Sequence, residues 1–471
     1  MPKTANITQR HLESIQTFFD QAPTQAGFFA RNYRRLLAHY YNLLIPKQAS
    51  VLEIGCGSGE LLAHIHGRRK VGVDLSARQI EAAKIRIPEG EFHVQAGETL
   101  ELEESFDYII ISETLNFAAD VQLLLAQIHR HAHEHTRVVI NYYSNLWRPF
   151  LSLATWLGFR KSQPQSSWIS TADLRNFLAL AEWQPMTIQA RILVPFPCLG
   201  LDTLINRWIA PWLTWFCLTV FCVARPARKT PGQPSVSVVI PARNEAGNIE
   251  AAVLRTPQMG AGTELIFVEG NSTDHTWAEI QRVAAAYPDH NIKIMQQSGK
   301  GKGDAVRKGF AAATGDILMI LDADLTMPPE ELPKFYEVLA SGRAEFANGC
   351  RLVYPMDQAA MQFLNLCANK TFGLLFTWLL GQPLKDTLCG TKVLSRAHYE
   401  QIAANRSYFG DFDPFGDFDL LFGAAKLNLK IADVPIRYKE RTYGSTNIHR
   451  WSHGWLLLRM VLFAARKLKF V

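Results

Sequence analysis

Asp322 and Asp324 close an apolar run in Gly315-Asp-Ile-Leu-Met-Ile-Leu-Asp-Ala-Asp-Leu-Thr326. Two carboxylates at i and i+2 cannot both end a buried strand without a large desolvation cost unless a cation neutralises them. A hard divalent ion that also grips a diphosphate would do so, and a capped turn before Pro328 and Pro329 is the plainer alternative. A second arrangement lies far upstream in Val51-Leu-Glu-Ile-Gly-Cys-Gly-Ser-Gly59, where Gly55, Gly57 and Gly59 follow an apolar strand. Glycines there let the backbone approach a ligand closely at the start of a helix. Glu53 precedes them, and Asp74 ends the next strand, where a carboxylate can bind a ribose diol. The nicotinamide fingerprint G-x-G-x-x-G has a different spacing, which makes a dehydrogenase the lesser reading.

Two further groups could carry chemistry. Glu113, in Ser112-Glu-Thr-Leu-Asn116, is either an acceptor of a hydroxyl proton or a solvated loop residue. His129, His131, His133 and His135 either chelate a metal or form a solvated helix end, and no other ligands stand nearby.

Strands alternating with helices must position these residues, which implies parallel sheets. In the first half a helix over 32–44 leads into strands at 50–54, 71–73, 108–111 and 137–141, with a helix expected after the glycine loop. A linker at 224–234 holds three prolines and a glycine. Beyond it, strands at 235–240, 264–268, 293–296 and 317–321 alternate with helices at 245–254, 274–286 and 303–313. The chain of 471 residues, 48% apolar and 20% charged, is thus neither disordered nor repetitive. Its seven scattered cysteines include no CxxC pair and fit a reducing compartment. Its net charge of +6 is unevenly spread: residues 430–471 carry nine basic and two acidic groups, +7 by themselves.

With the glycine motif and Asp74 placed, residues 30–224 resemble a class I S-adenosylmethionine-dependent methyltransferase, whose first motif is E/D-x-G-x-G-x-G. The resemblance implies S-adenosylmethionine as cofactor. Glu53, Gly55, Gly57 and Gly59 would lie at its methionine end, Asp74 at the ribose and Glu98 near the adenine. Methyl transfer depends more on alignment of nucleophile, methyl and sulfonium than on a strong base, so the segment after the fourth strand marks the acceptor pocket.

The combination SVVIPARNE, VEGNSTDHT, GKGDAVRKGF and LDADLT, in that order, resembles family 2 glycosyltransferases of the GT-A fold. The run from Asp386 to Lys392 and then Pro435-Ile-Arg-Tyr-Lys-Glu-Arg-Thr-Tyr-Gly-Ser445 is similar to polyprenyl- or dolichyl-phosphate sugar synthases. By that resemblance Pro241, Arg243, Glu245, Glu269 and Asp274 line the nucleotide pocket, and Lys302 and Arg307 lie near the donor phosphates. Asp322 and Asp324 would hold a nucleotide-sugar donor through Mg²⁺ or Mn²⁺, and Arg437 and Arg441 have the fork to bind phosphate. A phosphate acceptor needs no general base. A hydroxyl acceptor would, and Asp417 or Asp419 would be the candidates.

An isoprenoid phosphate acceptor implies a membrane surface. Residues 451–471 combine Trp, Leu and Phe with Arg459, Arg466, Lys467 and Lys469, which suits a peripheral, interfacial helix on anionic lipid. Packing of that helix on its domain is the alternative, and residues 363–380 form a second apolar candidate. The longest uncharged run, residues 208–224, is 17 residues and contains Pro211; Leu204, Trp208, Trp212 and Trp215 at helical spacing followed by a strand account for it without a bilayer span. Residues 147–159, apolar with Arg148, Arg160 and Lys161 at their flanks, suggest a hydrophobic or lipid-linked methyl substrate.

The expectation is therefore an α/β chain of two domains. Residues 1–225 form a Rossmann-like methyltransferase, 226–234 a linker, 235–450 a GT-A glycosyltransferase and 451–471 an amphipathic basic helix. The expected protein is a bifunctional enzyme on the cytoplasmic face of a membrane, with a nucleotide-sugar donor, a polyprenyl phosphate acceptor and no nucleic-acid partner. The competing expectation is a glycosyltransferase acting on a glycan hydroxyl, with a first domain that only binds cofactor or serves as a scaffold.

Overall fold

The computed structural model describes residues 2–157, 169–227, 232–353, 363–406, 417–439, 441, 443 and 450–471. The chain divides into two compact units, residues 1–227 and 228–469, each built on a seven-stranded sheet.

In the first unit, strands β1 (Ser50–Ile54), β2 (Arg69–Asp74), β3 (Glu91–Val94), β4 (Phe106–Ser112), β5 (Ala132–Tyr143), β6 (Trp183–Arg191) and β7 (Thr219–Pro226) lie in the order β3-β2-β1-β4-β5-β7-β6. All neighbouring pairs are parallel except those made by β7, which runs against both β5 and β6. Val51, Leu52 and Ile109 to Ile111 are fully buried, as expected of strands covered on both faces. Strand order reverses at β1, so a crevice opens at the carboxyl ends of β1 and β4.

Three expectations are corrected here. No α-helix follows the glycine loop. Only the 3₁₀ turn Leu62–His64 separates it from β2, because His66 and Gly67 leave too few residues for a helix before the chain re-enters the sheet. The tryptophan segment is no single helix either. It runs as the helix Leu201–Leu204, a π turn Ile205–Ile209 and, beyond Pro211, a 3₁₀ turn Thr214–Phe216. Proline lacks the N–H that the next helical bond requires, and its ring clashes with the preceding turn. The four histidines do not share one solvated helix end: His129 ends the helix Val121–His129, His131 is buried with ring nitrogens on the carbonyls of Glu104 and Leu100, and His133, paired with Asp107, and the exposed His135 lie on β5.

The second unit orders β8 (Val236–Ala242), β9 (Thr263–Glu269), β10 (Asn291–Gln296), β11 (Ile317–Ile320), β12 (Phe346–Cys350), β13 (Lys392–Ser395) and β14 (Ile431–Pro435) as β10-β9-β8-β11-β13-β12-β14. β13 alone runs antiparallel to its neighbours. The helix Phe363–Leu380, a candidate lipid-facing segment from sequence, buries Phe376, Leu379 and Leu380, with the Phe376 ring stacked on Phe422. The C-terminal helix Arg450–Leu468 packs on it and buries Met460, Val461, Ala464 and Ala465, with Trp455 and Leu462 exposed. Lys469 is buried with its ammonium over the Trp378 ring. One side of this helix is therefore committed to its own domain. Among the described residues no helix is long and apolar enough to cross a membrane.

One buried ion pair anchors the loop between the helix Phe363–Leu380 and β13. The Arg351 guanidinium donates to both oxygens of Asp386, at 2.7 and 2.9 Å, and its backbone N–H adds a third bond at 3.0 Å. Asn369 and the Leu388 N–H complete the carboxylate's shell. Burial pushes the Asp386 carboxyl up, but Arg351 outweighs it and holds it at about 2. The pair thus stabilises the fold above the ordinary aspartate value of 3.8, and this contribution is lost as pH falls from there through about 2. Arg351→Ala, which strands the buried carboxylate, is expected to cost about 3–5 kcal/mol by urea unfolding. Asp386→Asn should lower stability at neutral pH and flatten its dependence on pH between those two values.

Candidate functional site

In the first unit the chain leaves β1 through Gly55, Gly57 and Gly59, all at positive φ (71°, 52° and 73°). The Gly55 and Cys56 N–H groups return to the Val73 carbonyl. At the end of β2, the Asp74 carboxylate accepts from the Gly57 N–H at 2.8 Å and the Ser76 N–H at 2.9 Å. Burial raises the Asp74 pKa, and these two N–H groups oppose the rise. Asp74 therefore ties the glycine loop to the second strand and sets its curvature.

Glu53 is 1% exposed, and its Oε2 has no hydrogen-bond partner. Burial pushes its carboxyl up to about 8 against the pull of Arg34, while the Asp74 charge adds to the rise. An orphaned buried acceptor beside a glycine loop suits a ligand that brings a cation or a donor. Glu98 sits in the 3₁₀ turn Gly97–Thr99 after β3 and accepts from the Ala119 N–H at 2.8 Å, which fastens the loop that follows β4.

Sequence reasoning missed the wall opposite this loop. The helix Phe28–Leu44 brings Tyr33, Arg34 and Tyr41 to the carboxyl end of β5 and the amino end of the antiparallel β7. Tyr41 donates to Asn141 Oδ1 at 2.6 Å, and the Tyr33 hydroxyl meets Thr219 Oγ1 at 2.8 Å. Burial disfavours the Arg34 charge, but Glu113 and Glu53 hold its guanidinium above its ordinary value. Glu113 itself sits at φ 58°, with its N–H on the Asn141 carbonyl. The one sequence signal was Asn141, a polar residue ending an apolar strand. The N-terminal helix Pro2–Gln21 was equally unforeseen in its role. It bridges the crevice, with Asp20 on the Ser76 hydroxyl at the β2 end and His11 on the Phe117 carbonyl at the β4 end.

In the second unit β11 delivers Asp322 and Asp324 to the carboxyl edge of the sheet. The Lys302 ammonium, at the start of the helix Lys302–Ala312, lies 2.6 Å from Asp322 Oδ1. Arg441 spans Glu245 Oε1 at 2.8 Å and Asp324 Oδ2 at 2.6 Å, and Asp324 Oδ1 also accepts from the Thr326 hydroxyl and N–H. Burial raises the Glu245 carboxyl pKa, with Arg441 opposing. A Cβ on Gly390 would strike the Asp322 carboxylate and the Lys302 ammonium, so any side chain at that point of the loop held by Asp386 would displace them.

The structure brings Glu245, Lys302, Asp322, Asp324 and Arg441 into one cluster. Asp274 adjoins it: it caps Thr276, whose hydroxyl accepts from the Glu245 N–H. Hydrogen bonds from Thr276 hold the Asp274 carboxyl below its ordinary value against the upward push of burial. Pro241 is the penultimate residue of β8, and Arg243, just past its end at Ala242, backs onto Gly270. Glu269 holds its own turn and the end of β10, its Oε2 accepting from Gln296 at 3.1 Å and its Oε1 from the Ser272 N–H. Arg307 lies in the second turn of the helix that Lys302 begins, and Arg437 is exposed beyond β14. The Asp417 side chain lies outside the described residues. Asp419 is engaged by Arg406 at 2.8 Å, and no described contact joins it to Asp322 or Asp324. Asp322 and Asp324 supply a two-carboxylate oxygen set for a hard dication, which a diphosphate could complete. Among the described residues no group of three or more ligating side chains gathers on its own.

Residues 29–187 match the family model Methyltransferase domain, and residues 237–402 match Glycosyl transferase family 2. A dolichol-phosphate mannosyltransferase of Pyrococcus furiosus is 37% identical over 45% of this chain and 59% of its own length. An undecaprenyl-phosphate 4-deoxy-4-formamido-L-arabinose transferase of Pectobacterium carotovorum is 39% identical over 45% of this chain and 62% of its own. The chain therefore spans about three fifths of these relatives. Among solved structures, a S-adenosylmethionine-dependent methyltransferase of Thermotoga maritima matches at 20% identity and a TM-score of 0.32, over 43% of this chain and 93% of that one. The fold assignment rests on the strand orders above.

The raised Glu53 carboxyl sets a pH dependence. Between the ordinary value of 4.5 and about 8 the folded unit holds a proton that the unfolded chain releases, so its stability falls as pH rises through that window and levels off above it. Glu53→Gln removes this penalty. By calorimetric melting the variant should exceed the native chain by ~3 °C or more at pH 9 and differ little at pH 4.

Proposed function

Because the chain joins a methyltransferase domain to a glycosyltransferase family 2 domain, we propose that it is a bifunctional enzyme acting on isoprenoid lipid phosphate at a membrane. Residues 235–450 transfer a sugar from a nucleotide-sugar donor to a polyprenyl phosphate such as undecaprenyl or dolichyl phosphate. Residues 1–225 transfer a methyl group from S-adenosylmethionine to a sugar or lipid-linked acceptor. The observation that carries the first activity is the Asp322–Asp324 pair at the end of β11, countered by Lys302 and Arg441.

Asp322 and Asp324 would hold Mg²⁺ or Mn²⁺, which supplies charge balance to a departing nucleoside diphosphate. The chain's own residues do the rest. Lys302 and Arg441 reside within reach of the carboxylates and offer positive charge to donor or acceptor phosphate; the Arg441 fork suits two oxygens at once. An oxygen of the acceptor phosphate forms the new bond to the anomeric carbon as the bond from that carbon to the diphosphate breaks, and the electron pair leaves with the diphosphate. The attacking oxygen is already anionic, so no base is required. The Arg406–Asp419 pair supports this choice of acceptor, since Asp419, one of the two candidate bases for a hydroxyl, is held in an ion pair.

In the first unit the orphaned Glu53 oxygen and the left-handed glycine turns fit S-adenosylmethionine, whose cationic centres and ribose need a carboxylate and close backbone approach. The cofactor supplies an electrophilic methyl group. Arg34, Tyr33 and Glu113 line the space in which an acceptor would be oriented, and the helix Pro2–Gln21 limits access of water.

Asp324→Asn is expected to reduce sugar incorporation into lipid extract by at least ~100-fold, measured with a panel of labelled nucleotide sugars and an acid-labile lipid-phosphate product. Retention of full activity would refute the role of Asp324, and an acid-stable glycan product would favour a hydroxyl acceptor. Arg441→Lys keeps the charge but loses the fork, and should retain folding while transfer drops by about tenfold or more.

A further inference from the structure

The exposed apolar side chains of the first unit are concentrated at one end of its sheet. Of the 21 large ones described as exposed there, 17 lie on three short segments: residues 28–36, 143–157 and 192–218. These segments meet at the carboxyl edge of the strands. The Phe29 and Phe196 rings lie 6.4 Å apart, edge to face, and the Trp147 indole donates to the Phe216 carbonyl at 2.8 Å. The Ser144 N–H bonds the Leu218 carbonyl, and the Leu218 N–H bonds the Ile192 carbonyl. The same edge holds Tyr33 and Glu113, with Arg34 beside them, so the apolar collar adjoins the side chains assigned above to the methyl acceptor.

Its charge is one-sided. The three segments contain Arg31, Arg34, Arg35, Arg148 and Arg207, and a single acidic residue, Asp202. Asp202 is 6% exposed, and its carboxylate receives the Cys198 N–H. Trp156 is 80% exposed and Trp215 86%, levels that a soluble surface rarely tolerates for tryptophan. Exposed Trp and Phe on broken helical turns, beside the exposed Arg31, Arg35, Arg148 and Arg207 and with the buried Asp202 as the one acidic residue of the three segments, match the depth and charge of an anionic bilayer interface. A protein partner would be expected to meet a mixed polar rim instead.

We propose that this collar docks the first unit on an anionic lipid surface, so that its acceptor pocket opens at the bilayer and draws its methyl acceptor from lipid. The clause about the acceptor rests on the methyltransferase reading; the docking itself does not.

Cys198 gives a native probe, because it is exposed within the collar while the other described cysteines are buried. The full chain is labelled with an environment-sensitive thiol dye, and equally labelled Cys198→Ser is subtracted as background. Emission should shift to the blue on vesicles of mixed phosphatidylcholine and phosphatidylglycerol, and much less on phosphatidylcholine alone or in high salt. Trp156→Ser with Trp215→Ser should weaken the response about tenfold while leaving S-adenosylmethionine affinity by calorimetry unchanged. Sedimentation of the chain with vesicles without a shift at Cys198 would overturn the proposal, placing contact elsewhere. A blue shift without vesicles that grows with protein concentration would also overturn it, in favour of a second copy on the collar. A shift in a chain that binds no S-adenosylmethionine would uphold the docking and remove the methyl-acceptor clause.

Discussion

Placing carboxylates at the carboxyl ends of apolar strands is the constraint on which both halves of this protein depend. Such groups lose their water when the sheet is covered, and each must be offset locally or be neutralised by a proton. Four solutions coexist. Asp74 takes backbone N–H groups from its own turn and from the glycine loop. Asp322 takes a lysine, and Asp324 shares an arginine with Glu245. Glu53 takes none that satisfies its Oε2, and burial lifts its carboxyl to about 8.

These differences translate into readiness. Asp74 is locked by peptide groups and serves as scaffold as well as ribose-binding candidate. Asp322 and Asp324 are countered by flexible side chains, which can rearrange without disturbing the sheet. The buried Arg351–Asp386 pair shows the contrast. It has three bonds from one arginine and no exposed carboxylate, so it fixes the loop that carries Gly390 against Asp322.

The basic surplus of residues 430–471 acquires a similar division. Arg441 is drawn into the cluster at the end of β11, and Lys469 is buried against Trp378. Arg437, Arg459 and Arg466 remain on the surface. The helix Arg450–Leu468 buries one face in its own domain, which leaves only its other side for lipid. Most of the exposed large apolar side chains described in the first unit instead lie on the segments that follow β5 and β6.

The sequence by itself determined the two α/β halves, because apolar runs of strand length and helical periods are local properties. β1 begins and ends where its pattern predicts, at Ser50 and Ile54. It also placed the glycine loop and the Asp322–Asp324 pair, since spacing within one turn is set by covalent geometry. It misplaced a helix after Gly59, where the chain is too short, and continued a helix past Pro211. Tertiary structure alone decided that Arg441 lies on Asp324 across 117 positions of chain, that Arg406 claims Asp419, and that Tyr33 and Arg34 close the first pocket. Those contacts depend on how helices pack on finished sheets, and no local pattern of residues encodes which side chains then meet.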